Sequence, residues 1–184
     1  MASPAHTSVP DNWRSRLVSN LQGDVLEIGV GSGDNLPYYR SARHVWGIEP
    51  DPSRAAKARA RAAKCSVPIT IDVAPAESLP YPDDSFDAVV SSLVFCSVTD
   101  PVHALDEIER VLRPGGVLHM REHIRPQSSF WAGLATAFTP LQRRLFSNCH
   151  LDRATLETLA AQGWQVEVLN RRSVLVAVRA TPPT

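Results

Sequence analysis

Apolar positions along the chain follow two different periods that alternate with each other. Runs of continuous or alternating apolar residues predict seven strands, at residues 25–28, 44–48, 68–73, 87–93, 117–123, 164–169 and 173–178. Apolar residues three and four positions apart, with capping residues, predict helices at 13–21, 35–40, 52–64, 101–112 and 153–163. Strands separated by helices imply parallel crossover connections. The pattern therefore predicts an α/β fold with a doubly wound sheet and helices on both faces.

The chain has the length of one domain, with two segments outside the predicted sheet. Residues 1–12 of the 184 are polar and contain prolines, and we expect them to be disordered before a domain over residues 13–180. Residues 124–150 are the only long stretch that the strands do not use, and apolar residues recur there at mostly three- and four-residue spacings. This spacing predicts two short amphipathic helices, either as a lid over an acceptor pocket or as a plain cover for the sheet.

The charge balance and the number of cysteines limit the kinds of partner and cellular compartment that we expect. Lys plus Arg number 19, as do Asp plus Glu, so no overall charge attracts nucleic acid, and we expect a small-molecule partner and a monomer or homodimer. Three widely spaced cysteines fit neither a disulfide framework nor a metal knuckle, which favours a reducing cytoplasm and no metal. No apolar run reaches the roughly 20 residues that span a bilayer, although Arg143 and Arg144 leave peripheral membrane contact open.

The first predicted strand runs directly into three alternating glycines, Gly29, Gly31 and Gly33. Glycine lets another molecule approach the main chain closely, as a strand-to-helix turn beneath a nucleotide requires. A dinucleotide site would have glycine at the sixth position of the pattern, but Asp34 stands there and would repel a pyrophosphate. The loop instead suits a ligand with a ribose and a cationic or zwitterionic part, which Glu27 can face. S-adenosylmethionine is such a ligand.

A carboxylate about 20 residues downstream supports this interpretation. Residues 44–48 are predicted to form the neighbouring strand, and Glu49 follows its end. A carboxylate at this spacing can accept hydrogen bonds from both ribose hydroxyls. The glycine loop alone is compatible with a plain tight turn, but the two signals together predict a nucleoside-binding site.

Four motifs, in this order, resemble those of the class I S-adenosylmethionine-dependent methyltransferases. The matching segments are residues 27–33 for the first motif, Glu49 for the ribose-binding acid, 76–80 with 85–87 for the adenine side, and 113–116 for the turn before the fifth strand. The resemblance covers about residues 13–180. It implies a Rossmann-like, seven-stranded sheet that is mostly parallel and has an antiparallel last strand.

The resemblance also implies S-adenosylmethionine as cofactor and S-adenosylhomocysteine as product. The expected cofactor-binding residues are Glu27, Gly29, Gly31, Gly33, Asn35, Glu49, Pro50, Ala76, Glu77, Ser92 and Leu93. The sequence departs from the family at Pro75, where many members have an Asp that binds the adenine amino group. That contact must therefore come from another residue.

Glu122 and His123 end the fifth predicted strand, where ligands of open α/β sheets bind, and are the candidate catalytic residues. Strand alternation sends their side chains to opposite faces, so at most one should point into the site. A structural or solvated role is the alternative for each. The candidates for the acceptor pocket are Cys96, Phe130, Trp131, Phe138 and His150. Cys96 is more simply explained as a small buried residue.

Residues 93–98, 113–118 and 122–123 resemble small methyltransferases that include membrane-anchored alkyl-thiol methyltransferases and phosphatidylethanolamine N-methyltransferases. We expect no transmembrane anchor, because the sequence begins without an apolar segment. The resemblance implies methyl transfer to a small lipophilic acceptor. A thiol is favoured because its ordinary pKa of about 8.5 leaves some thiolate without a base. The alternatives are O- or N-methylation of a small molecule or phospholipid headgroup, and a non-catalytic cofactor-binding regulatory protein.

Overall fold

A seven-stranded sheet organises the protein in a computed structural model that describes residues 13–123, 155–172 and 175–183. The strands are β1 Gly23–Ile28, β2 Ala42–Ile48, β3 Ile69–Asp72, β4 Phe86–Ser92, β5 Leu112–His123, β6 Gln165–Arg172 and β7 Leu175–Thr181. The helices are α1 Trp13–Val18, α2 Pro52–Ala62, α3 Pro101–Val111 and α4 Thr155–Ala161, with a 3-10 turn at Leu36–Tyr38.

The strand order across the sheet is β3-β2-β1-β4-β5-β7-β6. The strands β3, β2, β1, β4 and β5 pair in parallel, whereas β7 runs antiparallel to both β5 and β6. This arrangement confirms the Rossmann-like, mostly parallel sheet with an antiparallel last strand. The order reverses between β1 and β4, and ligands of such sheets bind at the carboxyl ends of the strands at this switch point.

Two helices begin where the sequence predicts. Asp51 caps α2 by accepting hydrogen bonds from the main-chain N–H groups of Ser53 and Arg54, at 2.7 and 3.0 Å. Asp100 caps α3 in the same way, through two N–H groups at 3.0 and 3.1 Å. A proline follows each cap, and its fixed φ and missing N–H suit the first turn of a helix. Local sequence therefore determines the start of both helices.

Three local features differ from the sequence prediction. The helix expected over residues 35–40 is a single 3-10 turn, because the main chain is already extended at Tyr39. Helix α3 ends at Val111, and β5 begins at once and includes the Pro-Gly-Gly segment, where its register with β4 shifts. Val102, expected on the buried face of α3, is 47% exposed, and Ala104 is buried there instead.

Two apolar cores cover the two faces of the sheet, as a doubly wound fold requires. On one face, Ala55, Ala58 and Ala62 of α2 pack against β1, β2 and β3, and these small side chains let the helix lie close to the strands. On the other face, Leu105 and Ile108 of α3 pack with α4 against β1, β4, β5 and β7. Helices on both faces are therefore confirmed.

Four charged residues tie strands together at the amino-terminal edge of the sheet. Arg43 donates to both carboxylate oxygens of Asp24, and Arg113 bridges Asp24 and Asp87 with Nη–Oδ distances of 3.1 and 2.7 Å. The hydrogen bond from Arg43, with that from Arg113, holds the pKa of Asp24 below its usual range. The ion pairs stabilise the edge opposite the carboxyl ends of β1 and β4.

We expect Arg113→Ala to lower the free energy of unfolding by about 1 kcal/mol, because both of its ion pairs are partly exposed to solvent. Cofactor affinity should not change, since the cluster lies at the far edge of the sheet. Denaturant unfolding and calorimetric titration check the two statements, with the exposed Arg40→Ala as the matched control. A large loss of affinity in Arg113→Ala would contradict this placement.

The predicted disorder of residues 1–12 and the predicted lid over residues 124–150 both lie outside the described residues. Within the described part of the chain, no helix combines the length and the apolar character needed to cross a membrane. The same part contains no group of three or more His, Cys, Asp or Glu side chains placed to hold a metal ion.

Candidate active site

The loop after β1 takes a conformation that only glycine adopts without strain. Gly29 and Gly33 have φ values of +60° and +85°. A Cβ on Gly29 would lie 2.6 Å from a methyl carbon of Val94, and one on Gly33 would lie 2.7 Å from Leu36. The glycines therefore let the loop pass tightly between its neighbours at the carboxyl end of β1.

Glu49 fastens this loop to the end of β2. Its carboxylate accepts hydrogen bonds from the main-chain N–H groups of Gly31, at 2.9 Å, and Asp51, at 3.2 Å. The residue is 3% exposed, yet it belongs to the wall of an open cleft. A carboxylate has room for about four hydrogen bonds, so acceptor sites remain for a ligand hydroxyl.

A cleft of about 660 Å³ opens at the carboxyl ends of the central strands. Its walls come from the glycine loop, the ends of β2 and β3, and the loop between β4 and α3. The lining residues are Gly29, Ile48, Glu49, Pro50, Asp51, Arg54, Pro75, Ala76, Glu77, Leu93, Val94, Cys96, Ser97, Val98 and Thr99. Six predicted cofactor residues are among them, namely Gly29, Glu49, Pro50, Ala76, Glu77 and Leu93. The cleft has the size and position of a nucleoside site.

The other predicted cofactor residues, Glu27, Gly31, Gly33, Asn35 and Ser92, do not line this cleft. Gly31 reaches it only through the hydrogen bond that its N–H donates to Glu49. Glu27 and Asn35 are 1% and 5% exposed, so both lie behind the glycine loop.

Glu27 is buried in a small polar cluster behind the loop. Its carboxylate accepts hydrogen bonds from Asn35 Nδ2, at 2.8 Å, and from the hydroxyl of Tyr39, at 2.7 Å. Burial raises its pKa to about 7, even though both hydrogen bonds act in the opposite direction. Tyr39 was not predicted from the sequence, because nothing local distinguishes it from Tyr38. The cluster holds β1 to the segment that follows the glycines.

We expect Glu27→Gln to gain stability relative to the wild type as pH rises. A raised pKa favours the protonated carboxyl in the folded state, so the stability that Glu27 contributes is fully present below its ordinary pKa and is lost as pH rises through about 7. The amide cannot ionise and escapes this loss. Denaturant unfolding at pH 5 and pH 8 checks the difference, with the exposed Glu109→Gln as control. Equal pH dependence of wild type and Glu27→Gln would contradict the prediction.

Glu122 is fully buried behind the loop that follows β4, and that loop forms part of the cleft wall. One carboxylate oxygen accepts hydrogen bonds from the hydroxyl of Ser91, at 2.9 Å, and from the N–H groups of Val94 and Phe95, at 2.8 and 3.2 Å. Leu93, just before them, has a φ of +60°, a conformation that costs a side-chain-bearing residue about 1 kcal/mol or more. Burial raises the pKa of Glu122 to about 7. The carboxylate holds the strained loop that lines the cleft.

The structure places the remaining predicted residues as follows. His123 ends β5 opposite Leu175, and its side chain is not among those described. Cys96 is buried, at 4% exposure, and lines the cofactor cleft rather than a separate pocket. The acceptor candidates Phe130, Trp131, Phe138 and His150 lie outside the described residues.

Glu77 joins the cleft wall to the start of α3. Its carboxylate accepts hydrogen bonds from the N–H groups of Thr99, at 2.7 Å, and Asp100, at 3.2 Å. Pro75 also lines the cleft but offers no side-chain acceptor for an amino group. On this side, the described polar side chains in the cleft wall are those of Glu77, Ser97 and Thr99.

Two arginines of α2 reach the glycine loop and were not predicted from the sequence. Arg54 Nη1 lies 3.7 Å from Glu49 Oε1, and Arg61 pairs with Asp34. The negative charge of Asp34, which disfavours a pyrophosphate, is therefore paired with a guanidinium group of the protein itself. A basic residue in the first turn of a helix opposes the helix dipole, and this signal could have identified Arg54.

Together these features form a cleft of nucleoside size with a carboxylate in its wall. The glycines let the loop after β1 pass close to Val94 and Leu36, Glu49 offers carboxylate oxygens in the cleft wall, and the buried Glu122 fixes the loop that follows β4. The residues present therefore fit S-adenosylmethionine.

Comparisons with known proteins agree with this geometry. Residues 26–120, just over half of the chain, match a family model described as a methyltransferase domain. Thiol S-methyltransferase TMT1B of Homo sapiens is 35% identical over 140 residues, which cover 73% of this chain and 57% of the relative. The chain thus spans little more than half the length of that curated relative. A phosphatidylethanolamine N-methyltransferase of Cereibacter sphaeroides is 29% identical over 156 residues, which cover 81% of this chain and 77% of the relative.

Among solved structures, an S-adenosylmethionine-dependent methyltransferase from Mesorhizobium loti superimposes with a TM-score of 0.68 at 19% identity. The match covers 91% of this chain and 94% of that chain, and it shows a shared fold. The fold, the cleft and the family model point to the same conclusion. The chain belongs to the family of class I S-adenosylmethionine-dependent methyltransferases.

Proposed function

We propose that the protein methylates the sulfur atom of a small lipophilic thiol. The observation that carries this proposal is that every carboxylate described around the cleft already accepts main-chain hydrogen bonds. Glu49, Asp51, Glu77 and Glu122 each accept two or more. We assign them to holding loops and helix ends, and methylation of a thiol needs none of them as a general base.

An acceptor that needs no strong base suits such a site. An ordinary thiol has a pKa of about 8.5 and carries a few per cent thiolate at pH 7, whereas a Lys-like amine, with a pKa near 10.4, is almost fully protonated. A hydroxyl would require a positioned base. The thiol S-methyltransferase relative supports the same choice.

In the reaction, the protein itself binds the cofactor and the acceptor and orients them towards each other. The sulfonium methyl group of the bound cofactor is already activated for transfer. We propose that Glu49 binds the ribose hydroxyls and that Gly29, Pro50, Ala76, Glu77 and Leu93 contact the rest of the cofactor. Glu27, Gly31, Gly33, Asn35 and Ser92 contribute by shaping the loops behind it. Holding donor and acceptor in line while excluding water can supply several kcal/mol of rate acceleration.

We propose that Cys96, in the cleft wall, borders the acceptor, and that the protein acts in a reducing compartment such as the cytoplasm. A reducing compartment keeps an acceptor thiol available. Neither Cys65 nor Cys96 forms a disulfide with another described residue.

The direct test is a methyl-transfer assay with a matched panel: an alkyl thiol, the corresponding alcohol, the corresponding amine and a phosphatidylethanolamine. We expect turnover with the thiol, and a rate that rises with pH as thiolate forms. Turnover with the amine or the phospholipid but not with the thiol would replace the proposal by N-methylation, which the phosphatidylethanolamine N-methyltransferase relative favours. Cofactor binding without turnover on any acceptor would favour a regulatory protein.

A further inference from the structure

Arg54 of α2 lies between the glycine loop and the carboxylate that follows β2. Its Nη1 atom is 3.7 Å from Oε1 of Glu49, and its side chain lines the cofactor cleft. On the other side, a Cβ built on Gly31 would lie 2.9 Å from Nη2 of Arg54. The missing side chain of Gly31 therefore lets the guanidinium group lie close against the loop.

The position of Arg54 in its helix is unfavourable for stability. α2 begins at Pro52, so Arg54 is in the first turn, where a positive charge opposes the helix dipole. The ion pair with Glu49 offsets little of this cost, because the Arg54 side chain is 49% exposed and water screens such pairs. Asp51 is exposed as well, so its attraction for Arg54 is also screened. A position that costs stability yet lines a cleft is typical of a functional residue.

Glu49 and Arg54 together have the acceptors and donors that a vicinal diol requires. A hydroxyl group donates one hydrogen bond and accepts up to two. An ionised Glu49 can only accept, so it satisfies the hydroxyl hydrogens and leaves the lone pairs of the hydroxyl oxygens. A guanidinium group has several N–H donors, and 3.7 Å is the length of an ion pair rather than of a hydrogen bond. Arg54 therefore keeps donors for the hydroxyl oxygens.

We propose that Arg54 is a second ribose-binding residue, which donates hydrogen bonds to the hydroxyl oxygens while Glu49 accepts from the hydroxyl hydrogens. This inference rests on the proposed binding of the ribose by Glu49. The two side chains then recognise an intact 2′,3′-diol. A ligand without the diol is rejected, because it leaves the buried carboxylate of Glu49 and the guanidinium group without their ligand partners.

Titration of the full chain with S-adenosylhomocysteine and with its 2′,3′-dideoxy analogue tests the proposal, by calorimetry and, for weak binding, by ligand-observed NMR. The wild type should bind the dideoxy analogue roughly a hundredfold more weakly. Arg54→Met should bind S-adenosylhomocysteine roughly tenfold more weakly than the wild type does, but the dideoxy analogue equally well. The difference between the two ligands isolates the contact between Arg54 and the diol.

Further measurements separate ligand binding from charge and folding. Arg54→Lys keeps the charge but loses the planar array of donors, so it should recover only part of the affinity. Lys57→Met is the matched control, exposed on α2 and not among the described lining residues of the cleft, and should bind both ligands as the wild type does. Arg54→Met should unfold at the same temperature as the wild type or higher, because it removes a charge that opposes the helix dipole.

The proposal is overturned if Arg54→Met binds S-adenosylhomocysteine as tightly as the wild type does, which would make Arg54 a solvated ion-pair partner only. It also fails if Arg54→Met loses affinity for both ligands by the same factor, because Arg54 would then act on another part of the cofactor or on the fold.

The failure of this inference is distinguishable from the failure of the proposed function. If Glu49→Ala weakens binding and Arg54→Met does not, only the role of Arg54 is refuted. Wild-type affinity in Glu49→Ala would refute the ribose assignment on which the inference rests. Absence of thiol methylation has no bearing on these binding measurements.

Discussion

Glu49→Ala should weaken the binding of S-adenosylmethionine by about a hundredfold, or about 3 kcal/mol. Two losses combine. The variant has no carboxylate to accept hydrogen bonds from the ribose hydroxyls, and it releases the N–H of Gly31, which Glu49 holds at 2.9 Å. Calorimetric titration with S-adenosylmethionine and S-adenosylhomocysteine measures the effect, and both ligands should lose affinity alike because they share the ribose.

Glu49→Gln separates these two contributions. The amide keeps one acceptor oxygen but no charge, so we expect a loss of affinity between that of the alanine variant and that of the wild type. Glu109→Ala, an exposed glutamate of α3, is the control and should bind normally. Wild-type affinity in Glu49→Ala would refute the ribose assignment.

Glu122→Ala should lower the free energy of unfolding by about 3 kcal/mol. The substitution removes a buried acceptor and leaves the N–H groups of Val94 and Phe95 and the hydroxyl of Ser91 without it. The loop with the strained Leu93 should then loosen, so cofactor affinity should fall roughly tenfold as well. Denaturant unfolding and calorimetric titration measure the two effects.

Glu122→Gln and Ser91→Ala distinguish a structural role from a chemical one. The glutamine retains an acceptor oxygen and should recover most of the stability, while Ser91→Ala removes only one donor and should cost about 1 kcal/mol. A stable Glu122→Gln variant with normal cofactor affinity but no turnover would instead place Glu122 in the chemistry, as its position at the end of β5 first suggested.

The loops and helix starts around the cleft were largely predictable because their signals are local. The glycines, the acid at the end of the next strand, and the Asp-Pro pairs that begin α2 and α3 each act within a few residues. Alternating periods then predict the layers, and the handedness of crossover connections restricts the order of the strands. These features needed no knowledge of distant contacts.

The hydrogen bonds and ion pairs that hold loops and strands in place were not predictable, since they join residues far apart in the chain. Glu122 meets Val94 across 28 positions, and Arg113 meets Asp24 across 89. Neither pairing leaves a periodic trace, and a carboxylate at a strand end is compatible with catalysis or with capping. Its burial and its three donors show that Glu122 holds the loop, and the Glu122→Gln variant tests whether it also takes part in the chemistry.

The sequence by itself determined the fold class, the glycine loop and the carboxylate that follows β2, because local propensity and hydrophobic period act over short distances. Tertiary structure alone decided that Glu27 and Glu122 are buried and bonded to loops, because burial depends on what packs over a side chain. It alone also revealed a cavity beside β5. There α1, β5, β6 and β7 meet, and residues far apart in the chain form one wall.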